Sequence, residues 1–77
     1  MPLIVLQPVD TYLGQRLRLK RRDQWLSQQA LAVRIAMSAQ QIEKYKSGAN
    51  RISASRLFEI AQALSTPVAW FFEGAPK

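Results

Sequence analysis

Neither cysteine nor histidine occurs among the 77 residues. Those two absences remove disulfides, thiolate or imidazole zinc sites, and thiol or imidazole catalysis, so packing alone must hold the fold. Acids are sparse as well: Asp10, Asp23, Glu43, Glu59 and Glu73 are the only five, and no two stand at helical contact spacing. A paired-carboxylate active site has no candidates, and the chain is expected to be no enzyme and to carry no cofactor or metal. Apolar runs such as Leu3-Ile4-Val5-Leu6 fall far below the ~20 residues that a bilayer-spanning helix needs. Met1-Pro2 supplies no cationic start for a signal peptide. The expectation is a soluble, cytoplasmic protein with no membrane partner.

What the chain has in plenty is positive charge. Eleven Lys and Arg give a net charge of +6, which makes polyanions natural partners. Five of these cations (Arg16, Arg18, Lys20, Arg21 and Arg22) fall within seven residues. Such a strip neutralises phosphates and releases counterions, yet it equally describes a solvated helix face. It also suits anionic lipid or acidic protein, so charge alone decides little.

At this length one domain with one modest core is expected, and the turn chemistry divides it into five short helices. Residues 1–9, bounded by Pro2 and Pro8, read as an extended N-terminal arm. The domain proper is expected over 10–74, with a short tail at 75–77. Asp10 is the expected cap of the first helix, which runs to Arg22 with Leu13, Leu17 and Arg21 on one inner stripe. Ser27 caps a second helix, Gln28 to Arg34, with Leu31, Ala32 and Ile35 inward. Ser38 and Gln41 form an S-x-x-Q capping box that starts a third, ending near Ser47 before Gly48. Ser53 caps a fourth with Leu57, Ile60, Ala61 and Leu64 at core spacing. A fifth begins around Pro67, a residue suited to the first helical position, and ends before Gly74.

Two short helices joined by a tight turn at residues 36–38 describe a helix-turn-helix. Residues 26–48, LSQQALAVRIAMSAQQIEKYKSG, with the following ANRISASRL and IAQALSTPVAWFF, resemble the Cro and phage-repressor helix-turn-helix family over roughly residues 10–74. The resemblance implies an all-α, compact five-helix repressor-like domain whose second and third helices grip the major groove of double-stranded DNA. It implies base contacts at Ala39, Gln40 and Lys44, and a phosphate held by Gln28, whose other reading is a capping partner. Ala32 matches the small residue where the two helices cross. Asn50 and Arg51 match a loop that bonds the DNA backbone, although a loop arginine also reads as ordinary solvated charge. The helical wheel independently sets Gln40 and Lys44 opposite Ile42, which must point inward. The spacing from Ile42 to Tyr45 favours a half-buried ring whose hydroxyl reaches a phosphate.

Three positions depart from the family. Ala36 stands where the turn glycine is usual, and Trp25 replaces a frequent glycine, so the first loop is expected to be rebuilt around the indole. Lys46 occupies the place of a glutamate that pairs with the arginine matching Arg21, which predicts two unneutralised cations beside one core. On the last helix Val68, Phe71 and Phe72 share a face while Trp70 points the other way. Trp70 is accordingly the candidate anchor of a homodimer; alternatively it covers its own domain or lies under the arm, and the arm is itself a second candidate for that contact. The expected function is a sequence-specific transcriptional regulator, a repressor, reading the major groove with the helix that starts at Ser38. The alternatives are an antitoxin-type protein that binds a partner protein and autoregulates its promoter, and an interaction module without sequence specificity.

Overall fold

The computed structural model describes residues 7–47 and 50–76, save the side chains of Lys46 and Ser47. Among the described residues there are five helices and no strand: α1 (Pro8–Asp23), α2 (Gln28–Arg34), α3 (Ala39–Ser47), α4 (Ala54–Ala63) and α5 (Val68–Phe72). No described helix is long and apolar enough to cross a membrane.

Serine side chains start three of these helices, because a hydroxyl accepts one of the backbone N–H groups that a helix's first turn leaves unpaired. Ser27 Oγ accepts from Ala30 N at 3.0 Å, Ser38 Oγ from Gln41 N at 3.1 Å, and Ser53 Oγ from Arg56 N at 3.2 Å. The first helix begins three residues earlier than the expected cap at Asp10 implies. Pro8 opens it, since proline lacks only an N–H that would be unpaired there, and Gln7 is the cap. Asp10, expected as the cap, stands at the third helical position and reaches back to accept the Gln7 N–H at 2.6 Å. Residues 7–9 therefore do not belong to an extended arm; the rest of the arm, residues 1–6, lies outside the described residues, as does Gly48. Pro67, expected inside α5, is instead its cap.

Three helices end in the same way, and none uses glycine to do it. Trp25, Ala36 and Ser65 adopt positive φ of 57°, 53° and 49°. In each case that residue's N–H returns to the carbonyl three back, and the next N–H to the carbonyl five back. The pairs are Trp25 to Arg22 and Leu26 to Arg21, Ala36 to Val33 and Met37 to Ala32, and Ser65 to Gln62 and Thr66 to Ala61. These are Schellman closures, which normally favour glycine at the left-handed position. The loop after α1 is thus not rebuilt around its tryptophan. It keeps the tight closure and turns the indole out, leaving Trp25 96% exposed.

The core collects one face of each helix: Leu13 and Leu17, Leu31 and Ile35, Ile42 and Tyr45, Leu57, Ile60 and Leu64, and Phe71, with Ile52 between α3 and α4. Long polar side chains then tie helix ends across the fold. Arg34 of α2 donates to the Ala63 carbonyl at the end of α4 (3.2 Å), and Arg56 of α4 donates to the Ile35 carbonyl at the end of α2 (3.3 Å). Gln24, just past α1, donates to the Leu64 carbonyl at 2.6 Å. Each fills a carbonyl that a helix C-terminus leaves without an internal partner.

Candidate nucleic-acid interface

On α3 the inward and outward faces separate as the wheel requires. Ile42 is fully buried, while Gln40 and Lys44, one turn apart, are exposed side by side. Ala39 is half-buried at the first position of the helix. Tyr45 is more buried than expected, 7% exposed within the core, so its ring is chiefly a packing element. A glutamine amide and a lysine ammonium on one exposed ridge offer donors and an acceptor to solvent.

Two of the side chains expected at phosphates, Gln28 and Arg51, are held by partners within the domain. Gln28 Nε2 donates to Glu43 Oε2 at 3.2 Å, so the first residue of α2 is bonded to the middle of α3. Glu43 escaped the sequence reading, although its place between Gln40 and Lys44 put an acid beside the reading positions. Arg51, beyond α3, points its Nε at both carboxylate oxygens of Asp10, 3.2 and 3.3 Å away. That carboxylate is 6% exposed and the arginine side chain 50%, so half of the guanidinium arm still faces solvent. Asn50 is half-buried, its N–H directed to the Lys44 carbonyl at 3.3 Å.

The basic strip of α1 divides into two groups. Arg16 lies over the Trp70 ring, 3.6 Å from its centroid, donates to the Trp70 carbonyl at 2.6 Å and pairs with Glu73 at 3.5 Å. Lys20 adds its ammonium 4.3 Å from the same ring. Trp70 is consequently half-buried against α1 instead of pointing away from its own domain, edge-on to Phe71 at 5.2 Å. Arg21 donates to the Leu26 carbonyl at 2.7 Å. Burial, and then the charges of Arg22 and Arg18, push the Arg21 guanidinium below its ordinary pKa, and Glu43 opposes them. Arg21 thus has both a hydrogen-bond acceptor and a nearby acid; the side chain of Lys46 lies outside the described residues. Arg18 and Arg22 remain exposed.

Two helices at a tight turn, the second with a polar outer ridge, define a helix-turn-helix domain. Residues 17–71 match the helix-turn-helix family. The chain belongs to that family, in its Cro and phage-repressor branch, a class of DNA-binding domains and not of enzymes. A transcriptional regulator in the ATPase CF(0) region of Rhodospirillum rubrum is 55% identical over 64 residues, covering 83% of this chain and 59% of the relative. A helix-turn-helix transcriptional regulator of Sinorhizobium medicae is 46% identical over 69 residues, covering 90% and 50%. The chain spans about half the length of these relatives. Among solved structures, the clp gene regulator ClgR of C. glutamicum superposes with a TM-score of 0.82 at 25% identity, over 95% of this chain and 88% of that one. The restriction-modification controller protein C.AhdI of Aeromonas hydrophila gives 0.77 at 27%, over 80% and 94%.

Proposed function

We propose that this domain is the sequence-reading part of a cytoplasmic transcriptional repressor, with α3 in the major groove of its operator. The observation that carries the reading is the exposed pair Gln40 and Lys44 on a helix whose opposite side is locked by Ile42. Glutamine pairs bidentately with adenine and lysine donates to guanine O6 and N7, each contact being worth about 1–3 kcal/mol of discrimination. Ala39 leaves room at the helix start for a base edge or a thymine methyl. Gln28, Arg51, Asn50 and the Tyr45 hydroxyl take backbone phosphates, which set register without reading sequence. Gln28 exchanges Glu43 for phosphate on docking.

The names of the relatives and of the two superposed structures, all regulators or a controller, support the regulatory part of this reading. One recognition helix covers only a few base pairs, so the working form is a homodimer on half-sites about 34–36 Å apart. Selection of bound sites from random duplexes tests the proposal. A defined motif is expected; Gln40→Ala or Lys44→Ala relaxes it at one position, whereas Arg51→Ala weakens all duplexes and lowers the salt slope by about one. A Gln40→Ala protein that selects the wild-type motif refutes the assigned reading face, and binding without sequence preference identifies an interaction module instead.

A further inference from the structure

Trp25 puts the largest of side chains where a glycine is favoured. Its φ of 57° is left-handed and its side chain is 96% exposed, so the backbone strain has no packing return inside the domain. Ala36 and Ser65 share the closure but carry small side chains. A single exposed apolar residue is ordinary, but the surroundings of this one are not. Trp25 forms a shallow hollow with Arg21, Arg22, Leu26 and Ser27. Two guanidinium groups and a hydroxyl give this hollow a cationic, hydrogen-bonding lining unsuited to an apolar helix. The hollow lies at the α1–α2 turn, and Ser27 on its rim directly precedes Gln28, which is bonded to Glu43 of α3.

We propose that this hollow receives the sugar–phosphate backbone of duplex DNA just outside the base pairs that α3 reads. The inference rests on the DNA-binding reading above and extends it to the flanks of the site. Arg22 places an exposed cation at a phosphate, and the indole lays its ring on deoxyribose carbons while its N–H donates to a phosphate oxygen. The complementary charges favour this occupant over a basic second copy of the chain.

Trp25→Gly is a clean probe, since glycine relieves the left-handed strain and no internal contact of the indole is lost. Affinity is measured on the selected duplex with several flanking base pairs and on the same duplex trimmed to the recognised pairs, each over a range of salt. Trp25→Gly is expected to bind the extended duplex roughly 3–10-fold more weakly, the size of one lost hydrogen bond or equivalent contact, with an unchanged salt slope. The deficit disappears on the trimmed duplex. Arg22→Ala is expected to lower the slope by about 0.9, one phosphate's worth of counterions. In a Trp70→Phe background, Trp25 fluorescence changes with the extended duplex and not with the trimmed one. Equal binding of Trp25→Gly and wild type to the extended duplex overturns the inference. A change of sedimentation in Trp25→Gly without DNA, or a deficit on both duplexes alike, overturns it too by assigning the indole elsewhere. If Gln40→Ala and Arg51→Ala still act as described, only the flanking contact is lost; if wild type shows no preference among duplexes, the reading of α3 is what fails.

Discussion

Replacing Ala36 by glycine should stabilise the domain, because the position just past α2 is left-handed. Ala36 sits in the tight turn between α2 and α3 with a φ of 53°, and its methyl group is exposed. An L residue in that conformation carries strain of roughly 1–2 kcal/mol. Glycine removes it but loosens the unfolded chain by about 0.4–1 kcal/mol. The difference is a net gain of about 0.5–1 kcal/mol, or about 2–8 °C in melting temperature for a domain of this size. Thermal melts followed by far-UV circular dichroism read the shift, and urea titration should move its midpoint at constant slope. Ser65→Gly and Trp25→Gly carry the same sign, and because the three turns are separate the triple variant should gain about 1.5–3 kcal/mol. A midpoint for Ala36→Gly at or below wild type would refute the reasoning, showing that the left-handed turn is not strained.

Asp10→Ala removes the acceptor of the Gln7 N–H and of Arg51 Nε, and should cost about 1–2 kcal/mol in urea titration. Arg16→Ala strips the cation from the Trp70 face and removes one of the two donors to the Trp70 carbonyl, which keeps only the Glu73 N–H, a loss of about 1–2 kcal/mol by the same measurement; Arg16→Lys restores the charge but not the guanidinium's contact with the ring. The lowered Arg21 pKa makes stability rise with pH only through the alkaline window between its folded and unfolded values, because there the unfolded chain binds the extra proton. Near neutrality the lever is salt. Screening of the Arg18, Arg21 and Arg22 repulsion should stabilise the domain by about 0.5 kcal/mol between ~50 and ~500 mM NaCl, and Arg22→Gln should flatten that rise.

Local signals carried much of the fold. Each serine cap stands where a hydroxyl was expected, and Ile42, Gln40 and Lys44 face as a 3.6-residue period requires, because both properties depend only on neighbours along one helix. Pairings across long stretches of chain were not legible. Periodicity shows that Trp70 lies off the Phe71 face, but not that Arg16, 54 residues away, covers it. It marks Asp10 as a capping residue without revealing that Arg51, 41 residues on, shares the carboxylate. Nor does it pair Gln28 with Glu43. Trp25 misled for a different reason: large apolar residues tend to be buried, yet the hydrogen bonds of the helix closure fix the backbone there and aim the side chain at solvent.

The reciprocal bonds between Arg34 and Ala63, and between Arg56 and Ile35, tie α2 to α4. Neither bond uses a residue of α3. On the proposed reading, variants at Ala39, Gln40 and Lys44 are therefore expected to alter what is read while both of these bonds stay in place. That reading predicts that new readers can be made on this domain by rewriting one ridge.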